Sequence, residues 1–260
     1  MTNSAAEGRM CLGIIGGTGI DQVDGLQLLR EHPGDNAYGT PSRPVQEGIV
    51  DGQRVFFLQR HGSPRAIPPH LVNYRANIEA LRGLGVTHVV AINAVGGISP
   101  DMQPGRLVVP DQLVDYTWGR EHTFDDGRSG ALQHIDFTHP YDPALRLAII
   151  EAAESAGIPH EPCGVHAVTQ GPRLETAAEV RRLASDGCDI VGMTGMPEAA
   201  LARECGIAYA TICMVVNPAA GLGDLPLTQD TMRDILQREA AVVRRLLGCL
   251  LPRLGAQGQL

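Results

Sequence analysis

Apolar, β-branched runs alternate with helix-patterned stretches along almost the whole chain, and this alternation limits the fold more than any other feature of the sequence. Runs rich in strand formers occupy 12–15, 54–59, 87–92, 106–109, 164–169, 189–192 and 207–216. Helical patterns lie at 73–84, 143–156, 175–185, 197–204 and 228–251. Strands that are apolar throughout and separated by helices require a sheet covered on both faces. The expected architecture is therefore α/β, a single domain over 10–254 on a mixed, mostly parallel twisted sheet flanked by helices. Pro143 and Pro197 suit first-turn positions, and Thr228 suits the N-cap of the last helix. Segments 1–9 and 255–260 are expected to lack order.

Charge and composition remove several classes of function. A formal net charge of −8 speaks against a general polyanion binder, so no nucleic-acid partner is expected. The longest apolar stretch, 207–216, falls short of the ~20 residues that cross a bilayer, and the first nine residues do not resemble a signal peptide. No membrane partner and a cytoplasmic location are the expectation. All 21 basic residues are arginine, which excludes Schiff-base lysines, pyridoxal phosphate attachment and the Walker lysine together. The six cysteines form no Cys-x-x-Cys pair and no His-Glu-x-x-His occurs, so neither a metal nor an organic cofactor is expected.

In sheets of this kind the chemistry gathers where strands end. Gly16-Gly17-Thr18-Gly19 follows the first strand and is compatible with an anion approached by backbone N–H groups, although a plain turn explains it as well. The third glycine of a dinucleotide fingerprint would have to stand at Gln22, which speaks against a nicotinamide-dependent oxidoreductase, a rival that a cofactor-binding titration would settle. Arg60-His61-Gly62, the glycine-rich turn Asn93-Ala94-Val95-Gly96-Gly97, and Met193-Thr194-Gly195 follow three further strands. Each alone reads as a surface turn. Four strand-end loops, each presenting groups suited to phosphate, suggest one shared site.

These segments, with Val-Asn-Tyr-Arg-Ala-Asn at 72–77, Gln-Gly-Pro-Arg-Leu-Glu-Thr at 170–176, Gly-Met-Thr-Gly-Met-Pro-Glu at 192–198 and Val-Asn-Pro-Ala-Ala-Gly at 216–221, closely resemble the trimeric family of purine nucleoside and methylthioadenosine phosphorylases. The resemblance runs from Gly13 to the last helix. It implies a phosphorylase-like fold in which Thr18, Arg60, His61, Asn93, Ala94 and Thr194 hold phosphate. Met193 would pack under the ribose, and Asn217, Pro218 and Ala219 would meet the base. It also implies a homotrimer, or a pair of trimers, in which His134 reaches into a neighbouring subunit's site. Arg65 departs from the pattern, since relatives commonly carry histidine there.

Within that family the base contacts choose between purines. The adenine-selective branch carries Asp-x-Asp where this chain reads Asn217-Pro218-Ala219. An asparagine amide can donate to O6, whereas an ionised aspartate only accepts. Glu175 favours the same answer, because a 6-oxopurine presents N1–H to a carboxylate and adenine presents a bare lone pair. For each residue a local structural role remains open: a helix first-turn carboxylate for Glu175, a turn residue for Asn217. At the 5′ end, Leu225, Leu227 and Met232 offer apolar surface suited to a methylthio group, while Gln229 could serve a hydroxyl. The expected reaction is phosphorolysis of S-methyl-5′-thioinosine to hypoxanthine and 5-methylthioribose 1-phosphate, with Asn217 assisting the leaving base and inorganic phosphate as co-substrate. Inosine or guanosine is the alternative. A methylthioadenosine phosphorylase and a non-catalytic nucleoside-binding protein stand behind both.

Overall fold

Strand β1 (Leu12–Gly16) is buried at every position, as a strand covered on both faces must be. It lies in parallel between β4 (Gln53–Gln59) and β5 (His88–Gly97). β5 in turn runs parallel to β11 (Ala208–Pro218) over almost its whole length. These four strands therefore end at one edge of the sheet. The computed structural model describes residues 10–64, 66–128, 133–223 and 229–257, with side chains left aside at 229–233, 256 and 257.

The remaining strands are β2 (Gln27–His32), β3 (Val45–Val50), β6 (Leu107–Val108), β7 (Gln112–Asp115), β8 (His160–Glu161), β9 (Val165–Val168) and β10 (Ile190–Gly192). Together they form one mixed sheet whose main path is β2-β3-β4-β1-β5-β10-β9-β7. Six of its ten described pairings are parallel, which makes the sheet mixed and mostly parallel as expected. Helices α2 (Pro143–Ser155) and α5 (Gln229–Gln257) pack Leu145, Ile149, Val243, Leu246 and Leu250 on one face. On the other face α1 (Tyr74–Gly83) and α4 (Glu198–Glu204) contribute Ile78, Leu81, Ala199 and Leu201. α3 (Ala177–Ser185) covers β9 and β10 through Val180 and Leu183.

Four expectations change. β5 continues through Asn93–Gly97, so that segment is strand and not a turn. α3 begins at Ala177, capped by a reciprocal Thr176–Glu179 box, which leaves Glu175 ahead of the helix and removes the first-turn reading. Pro197 caps α4 rather than entering its first turn, whereas Pro143 does open α2. α5 passes Pro252 and reaches Gln257, so 255–257 are helical. Burial of Leu250, Leu251 and Leu254 offsets the ~3 kcal/mol that an internal proline costs. Thr228 and segments 1–9 and 258–260 lie outside the described residues.

One buried group makes stability depend on pH. His166 on β9 is fully buried, its Nδ1 lies 3.1 Å from the Tyr141 hydroxyl, and its Nε2 has no protein partner among the described residues. Burial, and then the nearby Arg60 cation, push its pKa from 6.5 down to about 4. Between those values the unfolded chain binds a proton that the folded chain refuses. The stabilisation is therefore complete above pH 6.5 and is lost as pH falls toward 4, by about 3 kcal/mol. Thermal melts should show Tm falling steadily from pH 6.5 to 5 in the wild type and less steeply in His166→Gln. Equal slopes in the two proteins would remove His166 as the cause.

Candidate active site

The edge where β1, β4, β5 and β11 end opens onto a cavity of about 570 Å³. Thr18, Arg60, His61, Asn93, Ala94, Glu175, Met193, Thr194, Asn217 and Ala219 all line it, although they are spread over some 200 residues of sequence. β10 explains part of this convergence. It runs antiparallel to the end of β5, pairing Ile190 with Gly97 and Val191 with Gly96, so the residues that follow it return along β5 toward Asn93.

The glycine-rich loop after β1 is more than a turn. A Cβ on Gly17 would stand 2.3 Å from the Ile92 carbonyl oxygen and 2.9 Å from Arg60 Nη1, so only glycine lets the loop sit this close to the guanidinium. Gly19 holds φ at +85°, and Thr18 projects at the exposed tip of the loop. Neighbouring backbone groups are tied down, Arg60 N–H donating to the Gly16 carbonyl and Ile20 N–H to that of Gly17.

Arg60 is wholly buried and already engaged. Its Nε and Nη2 donate to the two carboxylate oxygens of Glu198, each at 2.7 Å, and Nη1 donates to the Ile92 carbonyl at 2.8 Å. Tyr209 adds a hydrogen bond to Glu198 Oε1 at 2.8 Å. Burial alone would lower the arginine pKa, but the paired carboxylate raises it above the ordinary value. The pair is close to neutral, so Arg60 faces the cavity mainly through its unused N–H bonds and not as a free cation.

His61 donates from Nδ1 to the Ile67 carbonyl at 2.9 Å, which directs Nε2 elsewhere. Burial and the adjacent Arg60 hold its pKa below the usual histidine value. Asn93 sits one layer further in. Its Nδ2 donates to Thr211 and its Oδ1 accepts the Thr194 hydroxyl at 2.6 Å, so Asn93 orients Thr194 and its side chain has little left to offer phosphate.

Glu175 and Asn217 line the same cavity. Thr169 donates its hydroxyl to Glu175 Oε1 at 2.6 Å, which fixes the direction of the carboxyl group. A bulge in β11 pairs Val215 with Val95 and then Asn217 with Gly96, leaving Val216 unopposed and turning the asparagine. Gly96 makes room for that amide, since a Cβ there would come within 3.2 Å of Asn217 Nδ2. One Nδ2 hydrogen bonds the Pro218 carbonyl at 2.6 Å, and the second has no acceptor among the described residues.

Some predicted residues are not brought to this cavity. Pro218 contributes its carbonyl behind Asn217 and does not line the cavity. His134 is exposed on the surface, away from its own chain's cavity. Leu225, Leu227 and Arg65 lie outside the described residues, as do the side chains of Gln229 and Met232. Conversely, Glu198, Tyr209, Thr169 and Thr211 organise the site and were not expected from the sequence. Glu198 left two signals, its place at the end of the motif at 192–198 and a carboxylate opening the otherwise Ala-rich stretch Glu198–Ala202.

A model of the phosphorylase superfamily matches residues 12–251. A probable S-methyl-5′-thioinosine phosphorylase of Xanthomonas campestris is 50% identical over 87% of this chain and 90% of its own length. A 6-oxopurine nucleoside phosphorylase of Pyrococcus furiosus is 42% identical over 93% of this chain and 92% of its own length. Among solved structures, a methylthioadenosine phosphorylase from Schistosoma mansoni in complex with adenine superposes with a TM-score of 0.90 at 32% identity, covering 95% of this chain and 92% of that one.

Proposed function

The chain belongs to the phosphorylase superfamily, and on that premise we propose that it cleaves S-methyl-5′-thioinosine with inorganic phosphate, giving hypoxanthine and 5-methylthioribose 1-phosphate. The observation that carries this reading is that Glu175 and Asn217 line the same cavity as Thr18, His61 and Thr194. A carboxylate for N1–H and an amide donor for O6 match a 6-oxopurine. For the 5′ substituent the support is relatedness: the relatives at 50% identity include proteins named for the methylthio substrate, and those named for 6-oxopurine nucleosides stand at about 40%.

In the proposed reaction the C1′–N9 bond lengthens first and its electron pair moves into the purine, leaving an oxocarbenium-like sugar. A phosphate oxygen then bonds C1′ from the opposite face, and the departing purine takes a proton from solvent. The chain's own work is to hold the dianion beneath C1′ and to stabilise charge on the base, for which Asn217 is the partner. Met193 lies under the sugar and Ala219 beside the base. The reading routes no step through a metal or an organic cofactor.

The decisive measurement is a panel of S-methyl-5′-thioinosine, inosine, guanosine and methylthioadenosine, each with and without phosphate. Release of hypoxanthine that requires phosphate and is fastest for the methylthio substrate is the expected result. Preference for methylthioadenosine would overturn the base assignment, and binding without turnover would overturn the enzyme. A homotrimer, or two joined trimers, with His134 entering a neighbour's site belongs to the same proposal, as does a cytoplasmic location. Light scattering that returned only monomers would remove the shared site.

A further inference from the structure

Arg120, in the segment that follows β7, is only 8% exposed, yet no carboxylate pairs with it among the described residues. Its guanidinium is aimed at neutral oxygens. Nη1 donates to the carbonyls of Met193 and Met196 at 2.9 and 2.5 Å, and Nη2 donates to the carbonyls of Gln170 and Thr169 at 2.9 and 3.3 Å. Nε reaches Gln170 Oε1 at 3.2 Å, and the Tyr74 ring lies 5.5 Å beneath the cation. Arg60, the other deeply buried arginine, is neutralised by Glu198. Arg120 thus carries a buried positive charge behind the cavity whose lost hydration is replaced by neutral oxygens and not by a paired carboxylate, with Asp115 acting on it only at longer range.

The carbonyls it gathers belong to two segments that carry cavity residues. Thr169 and Gln170 begin the one leading to Glu175, and Met193 to Met196 form the one bearing Thr194. The Met193–Thr194 peptide is not among the cis bonds, so the Thr194 N–H points opposite to the Met193 carbonyl and away from Arg120. That N–H has no acceptor among the described residues. A cation on one end of a peptide strengthens the donor at the other end. An oxyanion in the cavity would complete the chain from guanidinium to carbonyl to N–H.

We propose that Arg120 is a positioning residue for phosphorolysis, holding the Glu175 and Thr194 segments in register from behind and lending Thr194 N–H the field that a phosphate dianion neutralises. This rests on the phosphorolysis reading. It is tested by the rise in Tm that inorganic phosphate produces in the wild type, Arg120→Gln and Arg120→Lys, together with the KM for phosphate. A ligand that binds only the folded state adds RT ln(1 + [L]/Kd) to stability whatever the stability of the unliganded protein, so each Tm increment is converted to free energy before the variants are compared. Phosphate should stabilise the wild type clearly and R120Q much less, with KM for phosphate raised about tenfold or more in R120Q and by less in R120K. Equal phosphate increments and unchanged KM beside a lowered starting Tm would make Arg120 a structural clamp only and overturn the proposal. Failure of both variants to fold would overturn it as well. A wild type that neither responds to phosphate nor releases base in its presence would instead sink the phosphorolysis reading itself.

Discussion

Asn217→Ala should lower kcat/KM for S-methyl-5′-thioinosine by about 10²–10³-fold, with most of the loss in kcat, because a donor to developing negative charge acts chiefly in the transition state. The ground-state purine carries little charge on O6, and the departing purine carries nearly a full negative charge shared between the ring and that oxygen. The geometry makes the amide available without rearrangement: the β11 bulge turns Asn217, Gly96 leaves it space, and its tie to the Pro218 carbonyl uses one of two N–H bonds. Asn217→Asp should be informative in another direction. Two acceptors facing O6 repel it and can receive the amino group of adenine, so the ratio of 6-oxo to 6-amino activity should fall by at least about 100-fold. Steady-state kinetics with saturating phosphate measure both effects. Turnover of Asn217→Ala within about threefold of wild type would take the residue out of the reaction.

How much of this was readable in the chain depends on the kind of signal. The central strands announced themselves, because burial on both faces leaves unbroken apolar runs such as Leu12–Ile15 and Ile207–Val216. β2 did not: Gln27–His32 lies largely exposed and lacks an apolar run. β8, with two residues, is too short for any periodicity to register. Individual cavity residues were legible through their places after strands and through ordered motifs. What escaped was the layer behind them. Thr169, Thr211, Glu198 and Arg120 act through partners that stand from 6 to 138 positions away, and a sequence read alone contains no trace of a distance in space. The same gap explains Arg60, expected only to hold phosphate, whose buried partner Glu198 stands 138 positions away.

That partner sets the largest stability effect expected for this protein. Glu198→Gln should lower stability by about 3–5 kcal/mol, since it leaves a buried guanidinium facing a neutral amide after its desolvation has already been incurred. For a chain of this size the loss corresponds to roughly 6–20 °C in Tm, read directly from thermal melts. A change of less than about 2 °C would mean that the pair is not closed in solution. The same variant separates the two roles open to Arg60. With its carboxylate partner gone, the arginine lacks a counter-ion, and the cavity it lines is where phosphate is proposed to lie. If Arg60 faces that anion, phosphate must restore more stability to Glu198→Gln than it adds to the wild type, and KM for phosphate must fall even as the fold weakens. If Arg60 only props the strand ends, the phosphate increment is the same in both proteins. A weaker enzyme that grips phosphate more tightly would show that the wild type keeps this cation paired for the sake of its fold, at the expense of affinity for its co-substrate.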